Sequence, residues 1–264
     1  LGRPIPWGFE GNRLIVVPHA GYGENAFYDR HSQSLQFYYY GEPENQRYTC
    51  LSHDVITHET GHAILDGIRP YYYEDTSVET GAFHEFIGDF TAILVAFHNK
   101  DVREAVKKRS GANLENDSVL ASLAEDFGHH VNHIEYLRTA QNLVTMQDIA
   151  GKSSPHDCSQ VLTGMMFDVL KALAQNYTTR EKARKQSVTP GRVLSWTANT
   201  IRSIALQALD LCPPADIRFL EYAQAVLRNY KTSNPADEQG YIPMMLEIFH
   251  QRGLCTCGYV KEDE

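Results

Sequence analysis

Along this chain of 264 residues, apolar and polar positions first alternate and then change to helical spacing. Two early runs, Arg13 to Val17 (RLIVV) and Ser34 to Tyr40 (SLQFYYY), are β-branched or aromatic and bounded by Gly, Pro and Asn, which predicts strands. From Leu51 the period lengthens. Val55, Ile56, His58, His62, Ala63 and Leu65 recur every three or four residues until Gly67 and Pro70 stop them. A helix is predicted over Ser52 to Asp66, with Ser52 as N-cap. A Tyr-rich connection from Arg69 to Ser77 then leads to a second, more apolar helix over Glu79 to Asn99. Helical spacing recurs over Asn116 to Leu143, Ser159 to Gln175, Pro190 to Leu211, Ala215 to Tyr230 and Glu238 to Gln251. The pattern predicts an α+β protein. Residues 1–68 would form an N-terminal lobe with a mixed sheet and the first long helix, and 69–264 a mainly α-helical lobe, with a cleft between them.

Composition narrows the function classes. No apolar run approaches the roughly 18 residues that a membrane span requires. The net charge of -9 repels phosphate backbones, which argues against a nucleic-acid partner. Five cysteines at scattered positions cannot all pair within the chain, so no disulfide framework is read. Residues 1–12 read as an irregular lead-in, and because residue 1 is Leu the chain is expected to come from a longer product that carried any targeting signal. The compositional oddity is twelve histidines.

Two of them carry chemistry. His58-Glu59-Thr60-Gly61-His62 is an HExxH sequence in the middle of the first predicted long helix. Histidines four apart stand on one helical face and can converge on one Zn²⁺, which leaves Glu59 beside them as general base for the attacking water. Gly61, a poor residue for a helix interior, calls for a packing reason such as a close helix approach. A catalytic zinc takes three protein ligands. Glu85 on the next helix offers the third, and Asp89, one turn further on the same face, can take the ring N–H of a zinc histidine. The surrounding residues Phe83, Phe86, Ile87, Phe90 and Ile93 are apolar nearly all round, so a carboxylate there would be buried without a partner unless it held a cation.

These residues resemble the thermolysin-like neutral zinc metalloproteases, gluzincins in which HExxH on one helix and a glutamate on the next bind zinc. The likeness extends through most of residues 24–170. Asn25-Ala26-Phe27-Tyr28 resembles the family's edge-strand segment, Asp54-Val55-Ile56-Thr57 its approach to the zinc helix, and Glu79 through Glu85 and Asp89 its third-ligand helix. Pro155-His156-Asp157-Cys158-Ser159 resembles the segment with the transition-state histidine. The resemblance implies a zincin fold, one catalytic Zn²⁺ and a peptide or protein substrate. It further implies backbone contacts from Asn25 and Ala26, a hydrophobic pocket helped by Val55, and oxyanion stabilisation by His156 from a loop ahead of a helix. His84 stands where the family carries an Asn beside the third ligand, which places it next to the second zinc histidine. The Tyr71-Tyr72-Tyr73 run holds the candidates for a tyrosine facing the oxyanion, and Arg138 the candidate for a substrate-clamping arginine. Asp54 matches one calcium ligand of the family, but Ala96 and His98 stand where another acid is needed, so structural calcium is not expected. The resemblance points to secretion, and the odd cysteine count keeps a cytoplasmic site open.

Other features read as structural. Cys255-Thr256-Cys257 is two thiolates short of a structural zinc set. His129, His130 and His133 form a polar helical cluster without an acid. Three readings remain from sequence: a zinc endopeptidase, a zinc aminopeptidase, and a zincin-fold binding module with little turnover. The aminopeptidase reading lacks a Gly-x-Met-Glu-Asn run to hold a free α-amine.

Overall fold

The computed structural model describes residues 3–74, 76–115, 122–123, 138–183 and 189–254. Its main sheet has three strands, β1 (Ile15–Val17), β2 (Ala26–Asp29) and β3 (Ser34–Phe37), in the order β1-β3-β2. β1 lies parallel to β3, and β2 antiparallel to it with Tyr28 opposite Leu35. β2 is therefore an edge strand. The predicted run from Ser34 to Tyr40 breaks at Tyr38, after which β4 (Tyr39–Tyr40) pairs with β5 (Arg47–Tyr48) as a separate ribbon. Alternation sends Leu35 and Phe37 into a small core with Tyr28, Val55 and Ala63.

A 3₁₀ turn (Thr49–Leu51) leads into α1 (His53–Ile68). Ser52 occupies the N-cap position, but its hydroxyl donates to the Asp54 carboxylate instead of accepting a backbone N–H. The nearby carboxylate is the stronger acceptor and takes the hydroxyl. Val55, Glu59 and Ala63, spaced by four, share one face of α1. Leu65 and Ile68 join the larger core.

α2 (Val78–His98) packs across α1. Ser77 caps it, its Oγ accepting from Thr80 N at 3.1 Å. The crossing is close at two glycines. A Cβ on Gly61 would sit 3.1 Å from Gly88 Cα, and a Cβ on Gly88 would sit 2.7 Å from His58 Cε1. The close helix approach that Gly61 calls for is therefore present, and Gly88 makes room for the His58 ring.

The other face of α2 packs on α4 (Pro155–Ala183), and α5 (Pro190–Gln207), α6 (Phe219–Ser233) and α7 (Tyr241–Gln251) complete the helical part. Phe83, Phe86, Phe90 and Tyr222 are fully buried in its core. α3 (Lys100–Ser110) was not legible as a helix, because its apolar stripe is short, Val102, Ala105 and Val106 among charged residues, and only Val106 is buried. Most of the helix predicted over Asn116 to Leu143 lies outside the described residues, as do the histidine cluster and Cys255 and Cys257. The described pieces correct it: β6 (Ser122–Leu123) pairs with β7 (Arg138–Thr139), and residues 140–145 are not helical. There the backbone is tied to buried Arg252, which donates to the Asn142 and Val144 carbonyls. The described part is a mixed α+β protein with a small sheet and mostly helices. No described helix is long and apolar enough to cross a membrane.

Candidate active site

α1 and α2 each contribute one face to a polar centre. The four-residue spacing on α1 sets His58 Nε2 and His62 Nε2 3.0 Å apart. From α2, Glu85 brings Oε2 to 3.4 Å from His58 Nε2 and Oε1 to 3.7 Å from His62 Nε2. Asp89 stands one turn further along α2, its Oδ1 2.9 Å from His58 Nδ1. His84 Nδ1 lies 3.1 Å from His62 Nδ1. Each α1 imidazole thus turns Nε2 to the centre and Nδ1 to a residue of α2.

Electrostatics follow from this packing. Burial pulls the His58 pKa down, but Asp89 and Glu85 outweigh it and push it up to about 10. Burial, then the neighbouring His58 charge, holds His62 well below its ordinary value. Burial lowers His84 to about 4, so it is neutral near pH 7. Burial opposes ionisation of Glu85, yet His58, His62 and His156 hold it well below the usual carboxylate range. The centre therefore contains an anionic Glu85.

Glu59 lies between the two imidazoles and the sheet. Sharing a face with Val55 and Ala63, it reaches the sheet, where its Oε2 accepts from Tyr28 N at 3.0 Å. The open side of β2 runs past it. The Asn25 carbonyl accepts from Tyr38 N inside the sheet, so alternation turns the Ala26 carbonyl to the edge, while Ala26 N donates to Asn25 Oδ1 at 2.9 Å. β2, Glu59, the two histidines, Glu85 and His156 line one cleft of about 470 Å³.

His156 arrives differently from the sequence expectation. It is not in a loop but in the first turn of α4, which starts at Pro155, because Ser154 Oγ accepts from Asp157 N and Pro155 is preorganised for a first helical position. Its Nε2 lies 3.1 Å from Glu85 Oε2. Val55 lines a separate cavity of about 210 Å³ with Tyr40, Tyr48 and Leu51. The three tyrosines differ as well: Tyr71 is exposed, while Tyr72 and Tyr73 both line the cleft, Tyr72 deeply buried with its hydroxyl on the Pro213 carbonyl.

A family model described as Fungalysin metallopeptidase (M36) matches residues 25–256, most of the chain. The chain belongs to the fungalysin metallopeptidase family. Fungalysin is a zinc metalloprotease related to thermolysin-like enzymes, so the resemblance read from the sequence narrows to this family. The chain is a zinc metallopeptidase. Comparison with curated proteins finds no match.

The donor set of this fungalysin-family chain fits zinc. Donors around a tetrahedral ion at ~2.1 Å lie ~3.4 Å from one another, and the separations of 3.0, 3.4 and 3.7 Å bracket that spacing. Glu85 Oε2 is buried with no well-formed hydrogen bond, an arrangement that a cation would satisfy. His58, Glu59 and His62 likewise offer ligand atoms within 4.8 Å of one another.

The sequence reading missed a supporting network. Asp66, fully buried near the end of α1, accepts from Tyr28 Oη at 2.7 Å and from Arg30 Nε at 3.0 Å. Arg30 stacks its guanidinium 4.3 Å from the Tyr73 ring centre, and its backbone N donates to Tyr73 Oη. These contacts tie the edge strand to the HExxH helix. One signal was available: Asp66 follows His62 by one turn of the same helix, an acid among apolar positions.

Proposed function

We propose that this metallopeptidase is an endopeptidase that binds an extended peptide along β2 and hydrolyses it over His58, His62 and Glu85, which hold the zinc. The observation that carries the proposal is the orientation of Glu59 between the open edge of β2 and the two imidazoles. Glu85, rather than Glu59, is assigned as third ligand because Glu59 Oε2 is engaged by the Tyr28 amide, whereas Glu85 Oε2 lacks a hydrogen bond of good geometry. Zinc held there supplies Lewis acidity to the reacting oxygens.

The protein's own groups do the rest. An antiparallel peptide pairs with the exposed Ala26 carbonyl, and Asn25 fixes the start of that edge. Glu59 accepts a proton from the attacking water and returns it to the leaving amine. His156, whose Nε2 stands beside Glu85 in the cleft, donates to the oxyanion. Asp89 fixes the His58 ring and His84 accepts the Nδ1 proton of His62, the role an amide oxygen would otherwise play. The separate cavity lined by Val55, Leu51, Tyr40 and Tyr48 together with the polar Gln46, Arg47, Thr49 and Ser52 is assigned to a side chain just after the scissile bond.

A peptide blocked at both ends tests the endopeptidase reading. Zinc-loaded protein is expected to cut an internal bond of it, detected by mass spectrometry. Cleavage only of peptides with a free amino terminus would establish an aminopeptidase instead. Bound zinc without cleavage of any peptide in a broad library would establish a binding module.

A further inference from the structure

His156 lies in a segment whose two ends meet at one buried guanidinium. Arg252 directly follows α7, where Gly253, at φ +80°, lets Leu254 N donate back to the Phe249 carbonyl and Gly253 N to that of His250. The helix stops there, and Arg252 is only 3% exposed. Its Nε and Nη2 donate to Asp168 on α4, and Nη2 also to the Asn142 carbonyl at 2.6 Å. Its Nη1 donates to Asn142 Oδ1 at 3.0 Å and to the Val144 carbonyl at 2.9 Å. That engages the whole fork of guanidinium donors. The Arg252 carbonyl accepts in turn from Met146 N at 2.9 Å.

These contacts grip α4 along one side. Asn142 Nδ2 donates to the Gln160 carbonyl at 3.2 Å. At Gly164, one turn further on, a Cβ would lie 2.7 Å from Asn142 Oδ1 and 2.9 Å from Arg252 Nη1, so only glycine admits the approach. Asp168 follows after another turn, and the same four-residue series begins at His156 in the first turn of the helix. The chain therefore leaves Arg252 at residues 142–146, turns through 147–154, presents His156 and returns to Arg252 at 160–168. The His156 side chain is 57% exposed, so packing holds its ring weakly and its place depends on the backbone beneath it. Tying both ends of 144–160 to one rigid planar group removes freedom that a segment of this length otherwise keeps.

Resting on the oxyanion role given to His156 above, we propose that Arg252 is a positioning residue for the reaction: it fixes the first turn of α4 and so holds the His156 imidazole where it meets the oxyanion. Arg252 does not line the cleft and touches no reacting group. Its effect passes through Asn142 and the backbone of α4. Lysine in its place keeps the charge opposite Asp168, but one ammonium cannot reach that carboxylate and the acceptors of residues 142 and 144 together. Asp168 is not stranded by the exchange, because Lys171 Nζ lies 2.9 Å from its Oδ1.

A double-mutant cycle between Arg252 and His156 on the zinc-loaded protein tests this. Arg252→Lys is expected to lower kcat on the blocked peptide ~10- to 10²-fold. Zinc content should not change, nor should peptide binding measured in the Glu59→Gln background. In the His156→Ala background the same substitution should change kcat less than about twofold, because the group that Arg252 positions is gone. A merely structural role would lower kcat equally in both backgrounds. If Arg252→Lys loses zinc or helix content, Asn142→Ala replaces it in the cycle with the same expectation, since it keeps the Arg252 pair with Asp168 and removes the side-chain link to Gln160. Equal losses in both backgrounds, or an unchanged kcat in the single variant, overturn the proposal and leave the oxyanion role standing. Wild-type kcat in His156→Ala overturns the oxyanion role and this proposal with it.

Discussion

His84 Nδ1 faces His62 Nδ1 across 3.1 Å, so one buried imidazole is the hydrogen-bond partner of another. Only one of the two can carry the shared proton, and burial keeps both imidazoles neutral near pH 7. If His62 turns the lone pair of Nε2 to the proposed metal, its proton sits on Nδ1 and His84 is the acceptor. His84→Ala is expected to reduce zinc affinity 10- to 100-fold, the usual cost of losing such a support, whereas His84→Asn restores an acceptor oxygen and most of the affinity. Competition with a chromophoric chelator measures both.

The same residue makes the metal-free protein acid-sensitive. Unfolded chain binds a proton at this imidazole near its ordinary 6.5, while folded chain resists it down to about 4, so the unfolded state holds more protons between those values. The stability contributed by neutral His84 is complete above pH 6.5 and is lost as pH falls toward 4. Urea denaturation of chelator-treated protein across that range should show the loss, and His84→Asn should reduce its slope, with His62, also held low by burial, keeping the rest. An equally steep decline in the variant would place the acid-sensitive group elsewhere.

Glu59→Gln keeps an oxygen for the Tyr28 amide but cannot take a proton. Turnover is expected to fall by roughly 10² to 10⁴, with the fold unchanged by circular dichroism. A variant that retains near-wild-type kcat would remove Glu59 from the proton path.

His156→Ala is expected to lower kcat by ~10² to 10³ and to alter peptide affinity far less, because the donated hydrogen bond matters chiefly as charge develops on the oxyanion. Steady-state kinetics on the blocked peptide, with a binding measurement in the Glu59→Gln background, separates the two effects. Equal losses in binding and kcat would assign His156 to substrate holding alone.

Gly88→Ala tests how the helices position the proposed metal ligands. The new methyl would lie under 3 Å from the His58 ring, so the ring or helix α2 must move. Overpacking of this kind costs about 1 to 3 kcal/mol, and zinc affinity should fall with stability. Thermal unfolding with and without zinc checks both.

Much of this arrangement was legible because it rests on short-range periodicity. The i,i+4 pair fixed His58 and His62 to one face, and the apolar surroundings of Glu85 marked a carboxylate in need of a partner. Gly61 announced the helix crossing, although its counterpart Gly88 drew no attention among ordinary helix residues. What stayed hidden depends on long-range contacts. Arg30 and Asp66 meet only when the edge strand lies on α1, and Tyr72 and Tyr73 are turned to the cleft and Tyr71 to solvent by the turn that carries them. His156 was assigned to a loop because the apolar stripe of α4 starts later, while Ser154 and Pro155 already begin the helix. α3 carries only a short stripe, Val102, Ala105 and Val106, among charged residues.

Zinc content per chain in four purified proteins tests the central claim most directly. Wild type and Glu59→Gln are expected to retain about one zinc after dialysis against a weak chelator. His62→Ala and Glu85→Ala are expected to lose it. A Glu85→Ala protein that keeps a full equivalent of zinc, or a Glu59→Gln protein that loses it, would contradict the assignment of His58, His62 and Glu85 as the ligands.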